Sequence, residues 1–350
     1  MSKAEHTLAE DGRMVKWRAE GFRPWEKAEI NVIDQTVMYG LGLFEGINFY
    51  KGGVLYLDQH LDRLCVGLEQ GGLEMPISRE HLREKILEAV KKSGLDKGYI
   101  RPVVTAGTGK DGTLGIGVMR EDPCVFIYVC RPIALYSEET YAKGIKLAGS
   151  PYRKPGGKVL DLTNIKWTDY FLNIKVKEDA KKRGYDDWIM LMDQDLGTVT
   201  LLGKKGAKYK VYDEYLSELS AANLFFIKDG VLYTPSLESN CLNGVTRNAF
   251  LKIAGAKGMQ TVEKRCTMKE LLDADEAFAT GTAAGLIAIS EVNGTKIGGG
   301  REGEKTRMLR RAYEEEVIPG NLTPVPELKG FGELKEGVDF LDLGARYRLD

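Results

Sequence analysis

The spacing of apolar positions divides the chain into short strands and amphipathic helices. Residues 28–32 alternate in a strand-like way, and a glycine-punctuated apolar stretch follows at 36–46, with glycines at 40, 42 and 46. Residues 47–50 and 54–57 flank Lys51-Gly52-Gly53, which predicts a hairpin. Apolar positions 61, 64 and 68 share one face of a helix that opens at His60, with Arg63 set between the apolar turns. A second helix is predicted over 79–92, capped by Ser78 and closed near Gly94. Residues 99–105 and 125–129 read as strands.

Residues 132–143 mix turn and helix signals before strand character resumes at 145–148. A loop carrying Pro151, Pro155, Gly156 and Gly157 leads to a helical run at 174–183, closed by Gly184. A buried strand is predicted at 187–192 and a hairpin at 224–233, turning on Lys228-Asp229-Gly230. Gly244-Val245-Thr246 precedes a helix at 248–254, whose first amides form a natural anion site. After a helix at 268–274, the small-residue run 280–285 offers a second turn with amides and two hydroxyls. A strand at 286–292, a turn at Asn293-Gly294 and a last helix at 304–316 complete the set. The expected organisation is a smaller domain over 1–135, a connector over 136–150, a larger domain over 151–319 and an appended tail over 320–350.

Composition narrows the function classes. A chain of 350 residues suits two domains, and 43% hydrophobic with 29% charged residues is ordinary for a globular protein. A net charge of −1 gives no basic excess for nucleic acid. Residues 1–13 resemble a frayed terminus, the first fourteen residues are polar without the apolar core of a signal peptide, and no apolar run approaches membrane-spanning length. Five scattered cysteines suggest neither zinc nor a disulfide framework, and three separated histidines suggest no metal site. The expectation is a cytoplasmic protein. Lys204-Lys205-Gly206 lacks the frame of a phosphate loop and reads as a solvated surface loop.

Two cations stand in apolar company. Lys166, flanked by Ile165 and Trp167 and followed by Tyr170, Phe171 and Leu172, is expected at or just before the first turn of a helix. Either its stem packs on apolar surface with the head in water, or burial lowers its proton affinity and makes it a carbonyl nucleophile. Arg101 interrupts an apolar strand and calls for a carboxylate, in a structural ion pair or on a ligand. A carbonyl-reactive lysine, an acidic residue (Glu218) ahead of a Ser-Ala-Ala-Asn turn, two phosphate-competent turns and Arg63 are together the needs of pyridoxal phosphate.

Seven motifs in order resemble the class IV aminotransferases, the fold-type IV pyridoxal-phosphate family. They are Met-Tyr-Gly-Leu-Gly-Leu-Phe-Glu-Gly (38–46), His-Leu-Asp-Arg-Leu (60–64), Tyr-Ile-Arg-Pro (99–102), Ile-Lys-x-x-x-Tyr (165–170), Glu-x-Ser-x-x-Asn (218–223), Leu-x-Gly-Val-Thr-Arg (242–247) and Thr-Gly-Thr-Ala-Ala (280–284). The resemblance implies an α/β fold with a smaller N-terminal α/β domain and a larger C-terminal pseudo-barrel, in at least a homodimer. It implies pyridoxal 5'-phosphate as cofactor, with Lys166 as the Schiff-base lysine and proton shuttle. Glu218 would lie on the pyridine nitrogen and Tyr170 on the phenolic oxygen. Arg63, Val245, Thr246 and Thr282 would hold the phosphate, with Ser220, Ala221, Asn223, Gly244 and Gly281 alongside. Arg101 would meet the substrate carboxylate, in a pocket lined by Tyr39, Phe44, Asn48, Tyr136, Ala283 and Ala284.

The implied reaction moves an amino group from an amino acid, branched-chain L-amino acids first, to a 2-oxo acid such as 2-oxoglutarate. Three other outcomes stay open: transamination of D-amino acids or (R)-amines, an aminodeoxychorismate lyase-type elimination, and a scaffold retired from catalysis. Two departures from the family's branched-chain pattern bear on that choice. Asn48 stands where an arginine is common, and Gly285 stands where the turn commonly ends in glutamate. About fifteen residues are inserted within 200–217, immediately ahead of Glu218.

Overall fold

Leu57, Leu61, Leu64 and Leu68 recur at helical spacing, and all four are buried in a computed structural model that describes residues 29–154, 164–192 and 215–325. Each such leucine contributes roughly 1.5–3 kcal/mol on leaving water. The helix therefore runs Leu57–Gln70, starting three residues ahead of the expected His60. The helix Arg79–Ser93 has the predicted cap: Ser78 Oγ accepts from His81 N at 3.1 Å, and Gly94 closes it in the left-handed region at φ 64°.

The described residues fall into two compact units. The first comprises 29–135, 166–170 and 317–325. Its six-stranded sheet is organised on Gly98–Thr105, which pairs antiparallel with Val125–Cys130. The other side of that strand takes both Gly42–Phe44 (Leu43 opposite Val104) and Ile47–Tyr50 (Ile47 opposite Ile100). Glu45 and Gly46 are the break between those two short strands. The predicted hairpin forms, with Phe49 opposite Val54. The first residues of the expected surface tail instead add an edge strand, Leu322–Pro324, to Gly53–Leu55.

Two expectations in this unit fail. Residues 29–32 are not a strand: Ile30 and Val32 are exposed and Asn31 Oδ1 accepts from Ile33 N in a turn, so the apolar alternation meets no sheet. Lys166 is not at a helix start. Residues 166–168 run beside the strand Gly42–Phe44: Trp167 bridges Leu43, Phe44 N donates to Lys166 O at 3.1 Å and Thr168 N donates to Gly42 O at 2.7 Å. The helix begins only at Phe171.

The second unit comprises 136–154, 164–165, 171–192 and 215–316. Its nine-stranded mixed sheet centres on Ile145–Lys154, parallel to both Asp187–Met192 and Gly285–Val292. The expected connector 136–150 thus holds the helix Glu138–Lys143 and the first part of that strand, and Pro151 lies inside the strand. The helix Phe171–Lys182 covers one sheet face, where Val176 and Ala180 pack with Ala148, Trp188 and Met190. The sheet curls, because its two edges approach. Leu216–Leu219 forms one edge, and Tyr215 bridges Thr267 while Leu216 N donates to Cys266 O at 2.8 Å, just past the opposite-edge strand Thr261–Lys264. Inside the curl lie Leu147, Ile189, Leu219, Leu224, Ala279 and Ile287. The predicted hairpin pairs Asn223–Lys228 with Val231–Pro235. The polar terminus 1–13, the Pro155-Gly156-Gly157 loop, the insertion up to 214 with Lys204-Lys205-Gly206, and the tail from 326 lie outside the described residues.

Candidate active site

In the first unit, the bridge at Trp167 sets Lys166 against Phe44. The lysine Nζ stands 4.4 Å from the Phe44 ring centroid and donates to Tyr170 Oη at 2.9 Å. Tyr170 packs edge-on against Phe44, with ring centroids 5.1 Å apart. The Arg101 guanidinium lies 4.5 Å from the same Phe44 centroid, so one ring serves two cations. Burial pushes the Lys166 amine down to about 8, and the positive charge of Arg63 adds to this, while Glu45 and Tyr99 pull the other way. An amine with that proton affinity is partly unprotonated near neutrality, the state a carbonyl nucleophile requires.

Arg101 does not have the carboxylate expected of it. Its Nη2 donates to Tyr99 Oη at 2.9 Å, and among the described residues its Nε is buried without a partner and no carboxylate pairs with it. An unneutralised, partly buried guanidinium is costly unless a ligand completes it. Gly46 makes the arrangement possible, since a Cβ there would fall 1.8 Å from the Tyr99 hydroxyl.

Arg63 is anchored by Glu45. Its Nε donates to Glu45 Oε1 at 2.7 Å and its Nη2 to Glu45 Oε2 at 2.6 Å, while His60 Nδ1 lies 2.8 Å from the same Oε2. Burial alone would push the Glu45 carboxyl up; Arg63 and His60 outweigh it and hold the group well below the usual carboxylate range. Burial lowers the His60 ring's proton affinity. Sequence pattern singles out neither Glu45 nor His60, although both lie inside motifs quoted above. Of the remaining candidates in this unit, Asn48 donates to Tyr50 Oη at 3.3 Å, and Tyr39 is exposed on the single-turn helix Gln35–Tyr39.

In the second unit, Glu218 lies within a strand and is buried. It pairs with Lys154 and accepts from Leu242 N at 3.0 Å and Asn223 Nδ2 at 3.3 Å. Asn223 also donates to Leu242 O at 2.9 Å. The helix Val245–Ala256 starts three residues earlier than predicted, so Val245 and Thr246 are its first two residues, and no side chain caps it at Gly244. An uncapped helix start of this kind favours an anion. Gly244 is required here, because a Cβ would stand 2.1 Å from Asn223 Oδ1.

The small-residue turn closes a hairpin, with Gly281 opposite Gly285 and Thr282, Ala283 and Ala284 as its loop. Gly285 has φ 62°, which explains glycine where a side chain was expected. Thr280 Oγ1 is buried without a partner among the described residues. Ala284 O accepts from Tyr141 Oη at 2.9 Å, and Tyr141 packs edge-on against Tyr136. Burial, with Asp187 and Asp186, pushes the Tyr136 hydroxyl up, so it stays protonated. Ser220 Oγ donates to the buried Asp187 Oδ2 at 2.7 Å, and Ala221 is exposed at the turn.

Comparison with known proteins identifies the family. The family model for amino-transferase class IV matches residues 42–201 and 204–292. The branched-chain-amino-acid aminotransferase of Pseudomonas aeruginosa is 33% identical over 317 residues, covering 89% of this chain and 93% of its own length. Two solved structures of the T.th. branched-chain amino acid aminotransferase superpose over 91% of this chain and 100% of theirs. The one with pyridoxamine 5'-phosphate gives a TM-score of 0.78 at 29% identity. The one complexed with N-(5'-phosphopyridoxyl)-L-glutamate gives 0.77 at 28%.

Proposed function

The chain belongs to the class IV aminotransferase family, and from that premise we propose that it moves the amino group of a branched-chain L-amino acid to a 2-oxo acid such as 2-oxoglutarate. It is an aminotransferase of the fold-type IV architecture, with pyridoxal 5'-phosphate as its cofactor. The observation that carries the substrate class is Arg101, a guanidinium with an orphaned Nε and no carboxylate partner among the described residues. A substrate α-carboxylate supplies what it lacks. Relatives named for branched-chain amino acids support the choice of side chain.

The donor set fits the cofactor. An amine brought down to about 8 suits its aldehyde, an uncapped helix start suits its phosphate, and a buried carboxylate suits its ring nitrogen. Bound, the cofactor supplies an electron-withdrawing ring that stabilises charge at the substrate α-carbon. We assign Lys166 to hold the cofactor through its amine and to carry the transferred proton, with Tyr170 Oη as its hydrogen-bond partner. Arg63, Val245, Thr246 and Thr282 are assigned to the phosphate, and Glu218, fixed by Asn223 and Leu242 N, to the ring nitrogen. Phe44 keeps Lys166 and Arg101 desolvated from one side.

The same proposal includes a cytoplasmic homodimer. No described helix is long and apolar enough to cross a membrane. The first unit exposes Val37, Met38 and Tyr39 and also Leu114, Ile116 and Met119, and Gln35 Nε2 donates to Gly115 O at 3.5 Å between the helix and that loop. Such a patch suits a second copy of the chain; light scattering that gave a monomer would remove this part.

The decisive experiment is a donor panel of L- and D-amino acids and (R)-1-phenylethylamine, with 2-oxoglutarate and pyruvate as acceptors. Preference for leucine, isoleucine or valine with strict dependence on an oxo acid supports the proposal. Preference for D-amino acids or the amine, or pyruvate release with no acceptor, overturns it.

A further inference from the structure

We propose that Glu45, backed by His60, is the positioning residue that aims the Arg63 guanidinium for phosphate binding. The inference rests on the reading of Arg63 as a phosphate ligand and goes beyond it. Glu45 sits in the break between Gly42–Phe44 and Ile47–Tyr50, where Glu45 N donates to Pro102 O at 3.0 Å and so locks the backbone to the central strand. Its side chain is 1% exposed, and both of its oxygens are committed: Oε1 to Arg63 Nε, and Oε2 to Arg63 Nη2 and His60 Nδ1. A bidentate carboxylate fixes the plane of a guanidinium as well as its position, which a single hydrogen bond does not.

His60 lies one helical turn before Arg63 on Leu57–Gln70 and is itself 2% exposed. Its contact with Oε2 prevents the carboxylate from rotating about its own bond. Three residues from two elements therefore form one rigid unit. If Glu45 served only to neutralise a buried charge, one oxygen and any geometry would do. The observed pairing instead uses one edge of the fork, Nε and Nη2, and so dictates where the rest of the guanidinium points.

The test compares pyridoxal 5'-phosphate with pyridoxal, which lacks the phosphate, by titrating the full-length apoprotein and reading the absorbance change on binding. The proposal expects Glu45→Gln to weaken pyridoxal 5'-phosphate binding by about tenfold to a hundredfold, the range of a charge-assisted hydrogen bond, and to leave pyridoxal binding within about twofold. Arg63→Gln should show the same selective loss. If Arg63→Gln loses selectivity and Glu45→Gln keeps it, the positioning role is wrong. If Arg63→Gln keeps selectivity, the phosphate reading of Arg63 is wrong. An equal loss for both ligands in Glu45→Gln makes Glu45 a purely structural residue and also overturns the proposal. Should Glu45→Gln fail to fold, Glu45→Asp, which keeps the charge and withdraws it by one methylene, is read by the same criteria.

Discussion

Gly46 and Tyr99 meet so closely that a side chain at one excludes the other: a Cβ at position 46 would lie 1.8 Å from the tyrosine hydroxyl. That hydroxyl is the hydrogen-bond partner of Arg101 Nη2, so a glycine in the break between two strands determines how an arginine in the next strand is held. Gly46→Ala is therefore expected to displace the Tyr99 ring and release Arg101. The cost should be about 1–3 kcal/mol, the usual range for overpacking a core. Thermal unfolding checks the stability, and a raised KM for the amino acid with less change in kcat checks the consequence for Arg101.

Arg101→Met tests the carboxylate assignment directly. KM for L-amino acid donors should rise by about tenfold to a hundredfold. Any turnover of (R)-1-phenylethylamine, which has no carboxylate, should be unchanged. An equal effect on both donors would assign Arg101 to packing.

Lys166→Ala should leave no cofactor attached after borohydride reduction and lower turnover by about two to four orders of magnitude. Mass spectrometry of the reduced protein reads the first and steady-state kinetics the second. A variant that turned over normally would remove Lys166 from the mechanism.

The proton affinity of Lys166 has a pH signature. With the amine at about 8, attachment of pyridoxal 5'-phosphate to the apoprotein should accelerate as pH rises through that value and level off above it. Removing the positive charge of Arg63 should move the midpoint upward, since that charge lowers the amine's proton affinity. Stability follows with a definite sign. Because the folded amine releases its proton at lower pH than the unfolded one, the folded state binds fewer protons from about pH 8 up to the ordinary lysine range, and stability rises across that window. Lys166→Met should abolish that rise, as thermal midpoints at about pH 7 and about pH 10, on either side of most of it, would show.

Gly244→Ala should disturb the second unit in the same way that Gly46→Ala disturbs the first. The new methyl meets Asn223 Oδ1 at 2.1 Å, and Asn223 is what steadies Glu218 and Leu242. A loss of about 1–3 kcal/mol is expected, with weaker binding of pyridoxal 5'-phosphate measured by absorbance titration. Normal affinity in a destabilised protein would separate Asn223 from the site.

Much of this was legible along the chain because local physics is written there. Ser78 and Gly94 bracket their helix where a cap and a left-handed residue are needed, and the hairpins at Lys51-Gly52-Gly53 and Lys228-Asp229-Gly230 form as their turn residues require. Motif order led from Lys166 and Glu218 to the family, as the class IV match supports. What failed were inferences made from neighbours in sequence. The helical run that follows Lys166 suggested a place at or just before a helix start, whereas residues 166–168 are extended beside a strand. The residue that faces its amine is Phe44, brought there by the Trp167 bridge to Leu43. Residues 29–32 alternate like a strand but have no sheet to join.

The sequence by itself determined the elements, their caps and turns, and the chemical types available: one lysine among aromatics, one arginine in an apolar strand, and two small-residue turns. Only the tertiary structure decided which charges are paired. Arg63 found Glu45, which also meets His60, and Glu218 found Lys154, whereas Arg101 was left, among the described residues, with a tyrosine hydroxyl and an unsatisfied Nε. Pairing depends on distances across strands and helices that no local pattern encodes, and burial makes each outcome energetically decisive.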